Sequence, residues 1–195
     1  LQRDARQLLG GDVVVVSDNA PPAVFAEQAR QRGMRTVQTL SFPTMGRAPD
    51  ANGGAAKLVA LKVVDAGYPL RGQLQTAQGL EQPGGVTRDI PAPGTAWVEA
   101  PLLAALNLNV SDSLLLGDAS LRIARILTVE PDRGAGFMAF APRVMIHAAD
   151  VPVTGLVQPA SRLTYRLAVT GDTESTIAAY ARWARAEVEN PAYHG

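Results

Sequence analysis

Four consecutive valines at positions 13–16 constrain the fold more than any other feature of this sequence. β-Branched side chains favour extended backbone, and an unbroken apolar run lacks the alternation of a strand with one solvent-facing side. The run therefore predicts a strand that is buried on both faces. Pro21-Pro22 then begins a helix, because proline is tolerated in the first turn, and Gly33 ends that helix.

Two further strands are predicted to follow this helix and to pair as a hairpin. They cover 34–45 and 55–64, and the loop at 48–54 between them contains Asn-Gly. Asn-Gly is the dipeptide that most favours a tight turn between strands. The first part of the chain thus has the order β-α-β-β. We also expect a helix over 1–9, which Gly10-Gly11 terminates.

The segment from 67 to 93 differs in composition from what precedes it. Its hydrophobic periodicity is weak, and Gly, Pro, Gln and Thr dominate. We interpret it as a loop that leads into a separate, β-rich subdomain. The elements expected there and beyond are strands at 70–74, 96–99, 113–116 and 119–129, a helix at 101–108, and a turn at 130–136 that leads into a strand near Pro142 and Arg143.

The elements predicted near the end of the chain are expected to pack with those of its first part. A short helix or turn is expected at 148–156, and residues 163–169 alternate as a half-buried strand does. The last helix begins with Asp172 as its N-cap and has apolar residues at helical spacing. The pieces fit an α+β core made from both chain ends, with the β-rich subdomain inserted.

Composition and charge argue against several classes of function. The 18 basic and 18 acidic residues give a net charge of zero, whereas a nucleic-acid-binding protein needs a positive excess. The chain has no cysteine, so disulfides, cysteine–zinc sites and thiol catalysis are excluded. No apolar run reaches the ~18–20 residues that span a bilayer. Because the chain starts at Leu1 without a signal peptide, we expect it to be a piece of a longer protein.

No catalytic residue, metal site or cofactor site is predicted. His147 and His194 lack the further ligands at close spacing that a zinc site needs. The aspartates adjoin expected turns, where their side chains satisfy backbone N–H groups. The motifs of serine hydrolases, dinucleotide-binding folds and P-loops do not occur. We therefore expect no enzymatic activity.

Apolar residues in expected loops or at strand ends are the candidate contact residues. Packing beneath loops is the simpler interpretation. The functional one is an exposed patch that contacts a lipid-like substrate, a partner protein or a second domain. These residues are Phe42, Met45, Tyr68, Phe137, Met138 and Phe140.

Several motifs between residues 11 and 170 carry a resemblance. Tyr-Pro-Leu-Arg-Gly at 68–72 and Glu-Pro-Asp-Arg-Gly at 130–134 are the most specific pair. The others are Ser-Phe-Pro-Thr-Met at 41–45, Pro-Gly-Thr-Ala-Trp-Val-Glu at 93–99, Ala-Pro-Arg-Val at 141–144 and Thr-Gly-Leu-Val-Gln-Pro-Ala-Ser-Arg at 154–162. Together they resemble the extracytoplasmic domain of FtsX-like, MacB-type ABC transporter permeases, in particular the YbbP-like subgroup. Ser111 and Ala160 depart from the family pattern, which has Gly at both positions.

The resemblance implies a porter-like βαββ…αβα subdomain at 1–75 and 146–195, with a sabre-like β-rich subdomain inserted at 76–145. It implies a non-catalytic domain on the periplasmic side of the bacterial inner membrane. The partners implied are the transmembrane region of its own permease and a cytoplasmic ABC ATPase. ATP-driven helix movements would be transmitted to this domain and move a hydrophobic or lipid-like substrate. A periplasmic esterase or lysophospholipase is a further candidate partner.

Two other classes stay open beside the permease domain: a soluble hydrolase, and an independent binding or adaptor module of the envelope. Hydrophobic spans beyond Leu1 and Gly195 would favour the permease domain. In that case the helices expected at 1–9 and 172–189 would both extend from the porter-like half and adjoin membrane spans.

Overall fold

The computed structural model of the protein describes residues 3–8 and 11–190, except Ala135 and the side chain of Phe137. Its strands are β1 (Arg3–Gln7), β2 (Val13–Ser17), β3 (Arg35–Arg47), β4 (Ala56–Val64), β5 (Leu74–Ala77), β6 (Gly85–Thr87), β7 (Thr95–Val98), β8 (Ser113–Leu116), β9 (Ala119–Val129), β10 (Arg143–His147) and β11 (Thr164–Thr170). Its α-helices are α1 (Ala23–Gln31), α2 (Ala100–Leu106), α3 (Phe137–Phe140), α4 (Val151–Thr154) and α5 (Glu174–Val188). Short 3₁₀ helices occupy Asp50–Asn52 and Ala148–Asp150.

The chain divides into two compact units. The first comprises Leu1–Leu40, Ala66–Leu70 and Leu163–Gly195, and the second comprises Ser41–Asp65 and Arg71–Arg162. The predicted boundaries at 75 and 146 do not coincide with these units. The fold is mixed, with helices and an extensive network of paired strands. The porter-like and sabre-like assignments stay predictions.

In the first unit, the strands follow the order β1-β2-β11-β3. The valine run forms β2, and Val13, Val14 and Val15 are all at most 2% exposed, so the prediction of a strand buried on both faces is confirmed. β2 pairs antiparallel with both β1 and β11. Helix α5 packs against β1 and β2 and also contacts α1.

The core of this unit lies where α1 and α5 meet. The Tyr180 hydroxyl donates to the Phe25 carbonyl oxygen at 2.8 Å, and the Phe25 and Trp183 rings contact edge to face with centroids 5.3 Å apart. Burial raises the pKa of the Tyr180 phenol well above its usual value, so the hydroxyl stays a neutral donor. The predicted apolar face of the last helix is confirmed: Ile177, Tyr180, Ala181, Ala184 and Val188 are buried.

The prediction of a helix over 1–9 is wrong, because residues 3–7 form β1. The strand pairs with β2 from Arg3 opposite Ser17 to Gln7 opposite Val13. Gly11, at φ 95°, lies in the turn between them. Of the five residues in β1, only Ala5 is buried, so hydrogen bonding to β2 rather than an apolar helical face fixes its conformation. The predicted positions Leu1 and Leu9 lie outside the described residues.

A second correction concerns the start of α5. The N-cap is Thr173, whose hydroxyl accepts a hydrogen bond from the backbone N–H of Thr176 at 3.2 Å. Asp172 was predicted to be the cap and instead precedes it. Threonine and aspartate are both favoured caps, so residue type alone does not distinguish Asp172 from Thr173.

The second unit contains a mixed sheet. From residue 41 onward the strands follow the order β3-β4-β10-β7-β9-β5-β6, and β8 pairs with both β3 and β9. β10 is parallel to β4, and β7 is parallel to β9. The predicted strands at 113–116 and 119–129 are confirmed with the same bounds as β8 and β9.

Two predictions in this unit need correction. The strand expected at 70–74 is β5, at 74–77, and β6 was not predicted. Residues 137–140 form the short helix α3 instead of feeding a strand directly. Arg133 donates to the carbonyl oxygens of Ala139 and Ala141, so these carbonyls are already engaged before β10 begins at Arg143.

The long strand β3 changes its buried side at Leu40, the last residue of the first unit in this segment. Val37 and Thr39 are buried, and beyond them Leu40 and Phe42 are buried. The buried positions therefore shift from odd to even residues within one strand.

Among the helices that the structure describes, none is long and apolar enough to cross a bilayer.

Candidate functional site

A buried ionic cluster lies in the second unit, and Glu130 is at its centre. Glu130 Oε2 accepts a hydrogen bond from Lys62 Nζ, and Glu130 Oε1 accepts one from Arg143 Nε, each at 2.8 Å. The side chains of Lys62, Glu130 and Arg143 are at most 4% exposed. We call the set Lys62, Glu99, Glu130, Asp132, Arg133 and Arg143 the Glu130 cluster.

Arg143 uses its whole guanidinium in this cluster. Besides Glu130, it donates to the carbonyl oxygens of Ala60 at 3.1 Å and Arg133 at 2.9 Å. Its backbone N–H donates to Glu99 Oε1 at 2.6 Å. Arg143 is the first residue of β10 and lies opposite Ala60 of β4, so the parallel pairing of these strands positions it. The rigid fork of an arginine suits such a set of fixed acceptors.

The outer members of the cluster complete the charge balance. Lys62 Nζ lies 2.9 Å from Asp132 Oδ1. Arg133 Nη1 lies 2.7 Å from Glu99 Oε2, a charge contact without an aligned hydrogen bond. Three cations thus meet three carboxylates. Because every charge is compensated by neighbours within the cluster, its chemistry favours bracing the protein over proton transfer or ligand binding.

The two most specific sequence motifs meet beside the cluster. Glu-Pro-Asp-Arg-Gly supplies Glu130, Asp132 and Arg133, which are anchored to β4 and β10. The last residue of Tyr-Pro-Leu-Arg-Gly is Gly72, at φ 72°, where an added Cβ would lie 2.7 Å from Pro131 Cβ. Glycine is therefore required where the second motif passes against the first. The segment from 130 to 143 is held at both ends.

The predicted contact residues separate into two groups. Phe42 and Tyr68 are 6% and 3% exposed, so they belong to the packing of the protein. Met45 and Phe140 are 50% and 86% exposed. Met138 is half-buried on α3, beside Phe140, whereas the side chain of Phe137 lies outside the described residues. The structure thus leaves Met138 and Phe140 on the braced segment and Met45 on β3 as the accessible candidates.

Met45 has an apolar neighbour that the sequence interpretation missed. Ala48 N–H donates to the Ala55 carbonyl oxygen at 2.8 Å across the β3–β4 hairpin. This pairing places Met45 opposite Leu58, and Leu58 is 40% exposed. A cross-strand pair of exposed apolar side chains results. The sequence of β4 gives no local signal for it, because Ala56 and Leu58 are both apolar.

Lys62 and the three carboxylates of the Glu130 cluster were also missed. Lys62 interrupts the apolar run at 58–64 in β4, and a lysine within a buried segment needs an anionic partner. That signal pointed to a buried carboxylate but could not identify Glu130. Within the described parts of the chain, no group of three or more His, Cys, Asp or Glu side chains is arranged to hold a metal ion.

Comparison with known proteins relates the chain to transport proteins. No protein-family model matches it. The "Uncharacterized ABC transporter permease YbbP" of Escherichia coli K12 is 37% identical over 183 residues, which are 94% of this chain. The chain spans 21% of that relative's length. A crystal structure described as a domain of a permease protein from Porphyromonas gingivalis is 9% identical, with a TM-score of 0.46 and coverage of 80% of this chain and 72% of that one.

Proposed function

This chain is homologous to one region of an ABC transporter permease, and from that premise we propose that it is a non-catalytic extracytoplasmic domain of such a permease. The single observation that carries the proposal is the 37% identity to YbbP across 94% of the chain. Since the chain matches 21% of that relative, we place the membrane-spanning parts elsewhere in the full-length protein. We assign the domain to the periplasmic side of the inner membrane.

In this proposal the domain is coupled to ATP hydrolysis by a cytoplasmic ABC ATPase. The first unit, which we identify as porter-like, would receive the movement. Both ends of the described chain, β1 and α5, belong to this unit and pack against each other. Packed elements transmit small rigid shifts better than loose tethers do. The N-terminal element that would receive the movement is thus a paired strand rather than the helix expected from the sequence.

The second unit, which we identify as sabre-like, would meet the hydrophobic or lipid-like substrate or a partner protein. Phe140 and Met138 support this role, because an exposed aromatic side chain on a segment braced by buried charges is apolar surface held in place. Met45 and Leu58 provide a second apolar pair. A periplasmic esterase or lysophospholipase is one partner that could dock there.

Phe140→Asp in the full-length permease should weaken binding to the contacted substrate or partner by roughly 10- to 100-fold. The reason is that burying a phenylalanine side chain contributes about 1.5–3 kcal/mol, which the carboxylate forfeits. Photocrosslinking from benzoylphenylalanine at position 140 in membranes identifies what is contacted. Mass spectrometry of the adduct distinguishes a lipid from a protein partner.

The matched control places the same crosslinker at Arg88, which is exposed in the same unit. Crosslinks from position 140 that are absent from position 88 support the contact, and loss of these crosslinks in a complex lacking ATP hydrolysis supports the coupling. Equal crosslinking from both positions would contradict a specific apolar contact. A full-length gene without hydrophobic spans around this region would instead favour the adaptor module.

A further inference from the structure

A β-bulge in the second unit brings two arginines to the same face of the sheet. Thr95 of β7 lies opposite Arg122 of β9, and Trp97 lies opposite Arg125. The register shifts between Ala96 and Trp97, so β9 has one residue more than β7 across this interval. In a regular strand, side chains three positions apart point to opposite faces. The extra residue brings both arginines to one side.

Both arginines line a cavity of about 510 Å³. Its lining combines charged, polar and apolar side chains from β7, β9 and the segment after β6. The residues are Gln78, Asp89, Ile90, Ala92, Thr95, Trp97, Arg122, Ala124 and Arg125. Its volume lies within the range of small-molecule sites, and its lining divides almost evenly between polar and apolar side chains.

Arg125 is a fixed part of the cavity wall. Its guanidinium lies 4.8 Å from the centre of the Trp97 ring, a cation–π contact. Its Nη2 donates to Asp89 Oδ2 at 2.8 Å, and its Nη1 donates to the Thr87 hydroxyl at 3.2 Å. The hydrogen bond from Arg125 lowers the pKa of the Asp89 carboxyl, so this carboxylate stays ionised and balances Arg125.

The positive charge of Arg122 is not balanced by a carboxylate in this way. Within the part of the chain that the structure describes, no carboxylate forms an ion pair with it, and the side chain is exposed at the cavity. The lining therefore contains two arginines and one aspartate, which leaves one uncompensated positive charge. Guanidinium groups bind carboxylates and phosphates through paired hydrogen bonds.

We propose that this cavity binds a small monoanionic oxyacid with a short alkyl part, whose anionic group Arg122 holds. Ile90, Ala92 and Ala124 provide the apolar surface for the alkyl part. A carboxylate and a phosphodiester both meet this description, since each carries one negative charge. The proposal depends on the geometry of the cavity and not on the transporter assignment.

Two-dimensional ¹⁵N NMR of the complete 195-residue chain tests this site. We expect dibutyl phosphate or hexanoate to shift the Trp97 indole N–H signal and the backbone signals of β9 saturably in the millimolar range. Hexanol, which lacks the charge, and butyltrimethylammonium, which reverses it, should produce no saturable shift. The two anion titrations decide between a phosphodiester and a carboxylate as the preferred group.

Arg122→Gln should weaken binding of the preferred anion at least tenfold, as expected when hydrogen bonds to a charged group are lost. Arg88→Gln is the matched control, because it removes the same charge from an exposed position outside the lining and should leave binding unchanged. Asp89→Asn adds to the positive charge of the cavity and should strengthen binding. Arg88, Asp89 and Arg122 are all exposed, so all three variants should fold.

Three results would overturn the proposal. One is the absence of saturation by either anion in the millimolar range. Another is equal weakening by Arg122→Gln and Arg88→Gln, which would mean general charge attraction. The last is binding to anionic phosphatidylglycerol vesicles without binding to the soluble anions, which would indicate a membrane surface contact in place of a cavity.

Discussion

Replacing Glu130 with alanine is expected to lower the free energy of unfolding by about 3–5 kcal/mol. The substitution leaves the ammonium of Lys62 and the guanidinium of Arg143 buried without their shared carboxylate. Taking such charges out of water is unfavourable unless they are paired, so loss of one partner costs more than the pair itself contributes. Urea unfolding followed by circular dichroism measures the change.

Two further variants separate the charge from the shape. Glu130→Gln retains the size of the side chain and an acceptor oxygen but removes the charge, so we expect an intermediate loss. Glu27→Ala removes an exposed carboxylate that pairs with Arg30 and should leave the urea midpoint unchanged. A loss below about 1 kcal/mol for Glu130→Ala would show that water reaches the cluster and that it does not brace the segment from 130 to 143.

Phe25→Ala is expected to destabilise the first unit by about 3–5 kcal/mol, because a large side chain is removed from a site that cannot collapse. Phe25 is 0% exposed, and its ring packs against Trp183. The hydrogen bond from Tyr180 to the Phe25 backbone carbonyl does not depend on the deleted ring. Urea unfolding followed by circular dichroism measures the change.

The protein offers a matched control for this deletion. Phe140→Ala removes the same atoms from a side chain that is 86% exposed, so the free energy of unfolding should change by less than about 0.5 kcal/mol. Similar losses for the two alanine variants would contradict the burial of Phe25 or the exposure of Phe140. The same control also shows that effects of Phe140 on binding do not arise from unfolding.

The elements that sequence predicted best are those with a local signal. The valine run, the apolar face of α5 and the hairpin of β8 and β9 each depend on residue patterns within a few positions. β1 was misassigned because its conformation comes from pairing with β2, and its own residues carry no strand alternation. The missed strand β6 has three residues and depends likewise on pairing with β5.

The candidate site was harder to predict for a related reason. Lys62 and Glu130 are 68 positions apart, and no spacing rule connects them before the parallel pairing of β4 and β10 is known. Phe42 and Phe140 both stood near expected strand ends, yet one is buried and the other exposed. Whether a side chain is buried depends on tertiary packing, which the local sequence does not determine. The resemblance to ABC transporter permeases was confirmed, and it depends on motifs spread from residue 41 to residue 162.

The change of buried side within β3 limits how related chains can differ in length. One residue added or lost between Val37 and Phe42 would turn all following side chains of the strand to its other face, so that Phe42 would become exposed and Pro43 buried. The loop containing Asp50–Asn52 has no such restriction, because an insertion there leaves both strands of the hairpin in register. Evolutionary insertions and deletions should therefore collect in that loop, whereas the thirteen-residue length of β3 should be invariant.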